Sequence, residues 1–343
     1  MLRYFLWSYT VTAAGLVGAF ALGWNYSGTL EGGLSFLLVG TVLAVLEISL
    51  SFDNAIVNAN KLNQMTPIWR RRFLTWGILI AVFGMRIVFP LLIVVVAAGI
   101  GPIEAIRLAA TDPDRYAEIV GSAHLSIAAF GGAFLMMVAL SYFINEGKDV
   151  HWIATIERQL QKFGSVRGTE IALVLAVIIG FSSALDTADR ATFLYAAVFG
   201  LVTFMAVDLL GHVLDRSDAA ETVAKGGLGA FLYLEVLDAS FSFDGVIGAF
   251  ALTQNLFLIA IGLGIGAMYV RSMTIMLVEK GALTQFRYLE NGAFWSIFVL
   301  SVIMFAQALF HIPEAITGLL GAGFIGLALL SSLRHNRIVD SRD

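Results

Sequence analysis

The sequence predicts an all-α membrane protein of about ten transmembrane helices laid out as a five-plus-five inverted repeat. Three observations carry that expectation: a composition too apolar for a soluble fold, ten apolar runs long enough to cross a bilayer, and an acidic motif whose two copies are separated by an odd number of spans. Of the 343 residues, 59% are hydrophobic and 13% are charged, and mean hydropathy is +0.85. Soluble domains carry about a quarter charged residues. The lack of cysteine removes disulfides, thiolate metal sites and cysteine catalysis, so a metal would be held by oxygen or by the five histidines. A net charge of −4 gives no reason to expect a nucleic-acid partner.

Taken in order, the first run, Tyr4 to Trp24, follows a lone Arg3 and has no clear small-residue cleavage site after it, so it reads as a retained anchor. Leu34 to Ala59, Phe73 to Ala98, Leu125 to Ile144 and the short Glu170 to Leu185 complete the first half, with a break expected near Ser182-Ser183. Thr192 to Leu214, Leu228 to Leu252, Leu256 to Val278, Ala293 to Phe310 and Ala315 to Leu333 make up the second. The halves divide at 1–190, with acidic helix 34–59, and 191–343, with acidic helix 228–252. Basic residues support an even span count. Sixteen Lys and Arg fall on the side shared by both termini, only Arg107, Arg115 and Arg190 fall opposite, and Arg86 and Arg271 lie within spans. The basic side is expected to be cytoplasmic.

The repeat is explicit in the second and seventh runs. Leu46-Glu47-Ile48-Ser49-Leu50-Ser51-Phe52-Asp53-Asn54-Ala55-Ile56 matches Leu237-Asp238-Ala239-Ser240-Phe241-Ser242-Phe243-Asp244-Gly245-Val246-Ile247. The following runs each place an arginine nine residues after a glycine, Gly77 to Arg86 and Gly262 to Arg271. An offset of five spans makes the two copies cross in opposite directions, the layout in which transporters bind substrate at the midplane.

An ionised carboxylate near the centre of a span costs about 2.5–3.5 kcal/mol, so Glu47, Asp53, Asp238 and Asp244 together demand compensation on the order of 10 kcal/mol. On a regular helix Glu47, Ser51, Asn54 and Asn58 share one stripe, with Asp53 about 100° round from Asn54. Glu235, Asp238, Ser242 and Gly245 form the equivalent stripe, with Asp244 displaced in the same sense. Both stripes are expected to face one cavity. Carboxylate, hydroxyl and amide oxygens suit hard cations: Mn²⁺, Mg²⁺ or Ca²⁺. Four carboxylates, Arg86, Arg271 and one divalent ion sum to zero charge. The competing account is a static salt-bridge network, and for a single membrane serine it is helix packing.

Weaker candidates stand outside that set. His124 and His311 fall near membrane edges, where interfacial placement explains them. Asp186, Asp189 and Arg190 read as a solvated turn by default and, more sharply, as an outer vestibule for cations, while Asp208, Glu146 and Glu314 could extend a pathway. Gly262-Leu263-Gly264-Ile265-Gly266 reads as a close helix contact. No hydrolase, zinc-protease or kinase pattern occurs, so an enzyme is not expected.

Val45 to Ala55, Glu235 to Asp244 with Ala249-Phe250-Ala251-Leu252-Thr253, and Tyr288-Leu289-Glu290-Asn291-Gly292-Ala293 resemble segments of the TerC and Alx family of bacterial membrane proteins. The resemblance implies manganese export from the cytoplasm across the bacterial inner membrane, with Glu47, Asp53, Asn54, Asp238 and Asp244 as metal-site positions; the basic-residue distribution places both termini in the cytoplasm. It departs at Gly245-Val246-Ile247-Gly248, where the family has Ser-Ile-Pro-Ala after the aspartate. The expected function is a secondary transporter whose substrate is a divalent metal, Mn²⁺ ahead of Ca²⁺ or Mg²⁺. The alternatives are a cation/calcium-exchanger-like transporter and a non-transporting scaffold or metal-delivery protein. Expected partners are the lipid bilayer and the metal ion, with association into a homo-oligomer left open.

Overall fold

A computed structural model describes residues 2–77, 80–166, 168–216, 227–310 and 312–340, which form helices and short connections, with no strand among them. The α-helices in order are α1 (Leu2–Ser27), α2 (Leu30–Leu50), α3 (Phe52–Gln64) and α4 (Pro67–Arg72). After the π-helical stretches Phe73–Gly77 and Ile80–Val88 come α5 (Phe89–Ala98), α6 (Pro102–Thr111), α7 (Pro113–Ser122) and α8 (His124–Ile144). Then follow α9 (Ala154–Lys162), α10 (Thr169–Ala184), α11 (Thr187–Arg216), α12 (Leu228–Leu252), α13 (Leu256–Glu279), α14 (Ala282–Gln285), α15 (Leu289–Gln307) and α16 (Glu314–Asp340).

Among the described residues, seven helices are long and apolar enough to cross a membrane, or eight if a bent pair counts as one span. They match seven of the ten expected runs: Leu2–Ser27, Leu30–Ser49, His124–Ile144, Thr187–Leu210, Leu256–Glu279, Leu289–Gln307 and Ile316–Ile338. The other three differ for separate reasons. Phe73 to Ala98 is divided between π- and α-helix. Leu228–Leu252 has the length of a span but holds three carboxylates, Glu235, Asp238 and Asp244. The fifth run does not break at Ser182-Ser183: α10 continues to Ala184, and the chain instead turns by 113° between Ala154–Ser165 and Thr169–Ala184. Gly168, at φ +82°, takes up that turn in the left-handed region that a side chain disfavours.

Local chemistry sets several boundaries. The Thr29 hydroxyl accepts from the Gly32 amide at 3.1 Å and caps α2, and Asn255 accepts from Leu258 at 3.0 Å and caps α13. Pro67, Pro102 and Pro113 open α4, α6 and α7, where a missing N–H costs nothing.

The core is built on α8, whose Phe134, Met136, Met137 and Phe143 are buried against α11 and α15. Tyr142 stacks on Phe294 with centroids 3.7 Å apart, and Phe143 meets Trp295 at 4.8 Å. The outward faces of α1, α11 and α16 expose Leu6, Trp7, Tyr195, Phe199, Leu319 and Leu327, apolar surface of the kind lipid covers. Lipid gives helices no hydrophobic reason to associate, so close backbone approach must do that work. α13 supplies it: a Cβ on Gly262 would stand on Leu43, and one on Gly266 would stand on the Glu47 side chain.

The connection between α8 and α10 is clamped to α15 by Glu157, which is fully buried. Its carboxylate accepts from Lys148 Nζ (2.7 Å), the amides of Trp152 (3.2 Å) and Ile153 (3.0 Å), Asn291 Nδ2 (2.9 Å) and Trp295 Nε1 (2.9 Å). Burial pulls the Lys148 ammonium below its ordinary value, against the raising influence of Glu157.

Candidate functional site

The acidic helix of the first half is interrupted within its motif. Ser51 leaves helical geometry (φ −99°, ψ 17°), closing α2 and opening α3. Asp53 thereby enters the first turn of α3, where the helix dipole favours a carboxylate, and its Oδ1 accepts from the Asn54 amide at 2.8 Å. In the second half α12 runs unbroken through Asp238 to Leu252. Gly245 sits within that continuous helix. A Cβ there would lie 2.8 Å from Glu47 Oε2, so the glycine makes room for that carboxylate.

The stripe expected to face one cavity is divided between two. On one face of α3 lies a cavity of about 30 Å³, lined by Glu47, Ser51, Asp53, Gly245, Ser296 and Thr317. Asp53 Oδ2 accepts from the Ser296 hydroxyl at 2.7 Å, and Ser51 donates to Glu47 Oε1 at 3.2 Å. The Thr317 hydroxyl is buried with no hydrogen-bond partner. Among the described residues, no basic side chain lines this cavity.

On the other face of α3 is a second cavity, also about 30 Å³, lined by Asn54, Asn58, Asp238, Arg86, Arg271 and Thr274 among others. Asn54 and Asn58 both donate their side-chain amides to Asp238 Oδ1, at 2.5 Å and 3.3 Å. A carboxylate only accepts, so each asparagine must turn its Nδ2 toward Asp238, and both Oδ1 atoms are left buried without a donor. Glu235, 7% exposed, also has both oxygens unpartnered, and a Cβ on Gly77 of the cavity wall would touch its Oε1. Arg86 donates to Glu47 Oε1 at 2.5 Å, with both side chains 4% exposed, so one ion pair stands between the cavities. Arg271 donates to the Leu74 carbonyl at 3.1 Å rather than to the second-half acid that its repeat position suggests.

Not every expected residue joins these cavities. Ser242 is buried but lines neither, and Asp208 is exposed on α11. The side chains of Asp244 and Glu314 and all of His311 lie outside the described residues. Ser49 and Ser240 donate to the carbonyls four residues back, Val45 and Val236, the packing role of a membrane serine. Asp186, Asp189 and Arg190 are exposed, as a solvated turn requires. Ser296 and Thr317 were missed because each is an isolated hydroxyl in an apolar run.

Glu47, Asp53, Glu235 and Asp238, if ionised, leave two negative charges unmatched by Arg86 and Arg271. Among the described residues, no three acidic or histidine side chains converge to form a metal site by themselves. Any cation seat here must draw on hydroxyl and amide oxygens.

A family model described as "Protein of unknown function (DUF475)" matches residues 52–339. No curated protein and no solved structure matches the chain.

Proposed function

The chain belongs to the DUF475 family, whose description carries no activity, and from its buried polar layer we propose that it is a secondary transporter of a divalent metal cation. The substrate seat is the cavity of Glu47, Ser51, Asp53, Ser296 and Thr317. One observation carries the reading: two buried carboxylates, of which Glu47 is paired with Arg86, and three hydroxyls line a space the size of one ion, and no basic side chain among the described residues lines its wall. Such oxygens suit a hard cation, and Thr317 offers one more that no donor satisfies. Manganese is the first candidate, in keeping with the resemblance of the Glu47 and Asp238 segments to the TerC and Alx family.

Inverted halves of five spans each, meeting at this layer, would give access from alternate sides. Placement in the bacterial inner membrane with cytoplasmic termini belongs to the same proposal, supported by the sixteen-to-three distribution of basic residues. The test is manganese binding to the purified protein, followed by flux in liposomes. Asp53→Asn and Glu47→Gln should each lose binding. Wild-type affinity in both would end the proposal.

A further inference from the structure

The seat proposed above is bounded by two glycines that their helices do not require. Gly245 lies inside α12 and Gly321 inside α16; both line the cavity, and neither has a positive φ. Glycine inside a helix is destabilising relative to alanine, so these two positions need another reason. Space supplies it. A Cβ on Gly245 would stand 2.8 Å from Glu47 Oε2, and one on Gly321 would stand 2.9 Å from the Ser296 hydroxyl and 3.8 Å from Asp53 Oδ2. Those contacts fall on oxygens of the seat itself. Gly323, two residues further along α16, would place a Cβ against nothing within 4 Å.

What the glycines keep open is small. A cavity of about 30 Å³ is the share of a single water molecule in the liquid. Glu47, Ser51, Asp53, Ser296 and Thr317 already bring oxygens to its wall, and the Thr317 hydroxyl, on a residue 7% exposed, has no hydrogen-bond partner. A hard divalent cation takes about six or more oxygens, so an ion seated here exchanges nearly all of its water for side-chain oxygens. Mg²⁺ dehydrates reluctantly and usually keeps several waters, for which this space has no room. We propose that Gly245, Gly321 and Thr317 set the specificity of the seat for a dehydrated divalent cation, Mn²⁺ in place of Mg²⁺. The glycines leave room for the bare ion, and the Thr317 hydroxyl stands where a retained water would be. This deepens the proposed function and rests on it, because only a seat for a divalent cation has such a choice to make.

The test titrates full-length protein in divalent-free nanodiscs with manganese chloride and, separately, magnesium chloride, reading the heat of binding, and follows thermal unfolding without metal. Wild type should bind Mn²⁺ at least about tenfold more tightly than Mg²⁺. Gly321→Ala should weaken Mn²⁺ binding at least about tenfold while its metal-free unfolding midpoint holds or rises, because alanine suits a helix and the Ser296 hydroxyl can turn aside. Gly323→Ala should bind as wild type. Thr317→Ala, the second variant should Gly321→Ala fail to fold, leaves room for a water, so Mg²⁺ should gain on Mn²⁺ until the two differ by less than about threefold. Equal affinity for Mn²⁺ and Mg²⁺ in wild type, or wild-type Mn²⁺ affinity in Gly321→Ala, would overturn this inference and leave the divalent seat standing. Wild-type protein that binds neither ion would reject the seat, and this inference with it.

Discussion

Replacing Arg86 with methionine removes one partner of an ion pair whose N–O separation is 2.5 Å and whose side chains are each 4% exposed. Among the described residues Glu47 would keep one side-chain donor, the Ser51 hydroxyl at 3.2 Å, too little to hold an ionised carboxylate in this interior. Breaking one side of a buried pair costs about 3–5 kcal/mol, while removing both partners is often close to neutral. Arg86→Met alone should therefore lower the unfolding midpoint by about 4–7 °C, and Glu47→Gln added to it should recover most of that loss. Thermal unfolding of the four proteins of this cycle in one detergent gives the coupling directly, with at least about 2 kcal/mol expected. Additive losses, or a single variant as stable as wild type, would refute the view that this pair holds the partition between the cavities.

Gly245→Ala places a methyl 2.8 Å from Glu47 Oε2, the flexible end of a side chain; stability should hold while manganese affinity falls about tenfold, read by titration. Gly266→Ala instead meets the Cβ and Cγ of Glu47, which cannot swing aside, so α2 must lift from α13 at a cost of about 1–3 kcal/mol in thermal unfolding. Glu157→Ala strands five donors, two of them on α15; about 3–5 kcal/mol should be lost, and limited proteolysis should cut first between α8 and α10. Glu157→Gln should cost less, because an amide oxygen still accepts.

The sequence made the membrane class legible because twenty-residue apolar runs leave few other folds, and seven of them appear as long apolar helices. It also picked out Glu47, Asp53, Asn54, Asn58 and Asp238, since a carboxylate or amide within such a run must find a partner. It could not show that Ser51 steps out of the helix, because serine is tolerated in helices and breaks alike. From that step follows the division of the polar stripe into two cavities. Ser296 and Thr317 were invisible for a related reason: single hydroxyls in an apolar helix satisfy themselves on the preceding turn, and only tertiary contact reveals which do not. Asn291 was noticed only as part of a resemblance, while its contact, Glu157, lies in a connection whose polar sequence reads as solvated surface. The arginine pairing at Arg86 follows from charge arithmetic, but Arg271 shows that repeat position does not fix a partner.

The break at Ser51 also makes the two cavities a matter of counting. Asp53 and Asn54 are neighbours in the chain, yet they serve opposite sides of one helix, because each residue turns an α-helix by about 100°. Inserting or deleting one residue between Ser51 and Asp53 would re-index every polar group on α3, carrying the carboxylate out of its cavity and bringing an amide or an apolar side chain into its place. The identity of each compartment is thus written in the phase of a thirteen-residue helix, and a shift of one position would erase it without changing the composition of the rest of the chain.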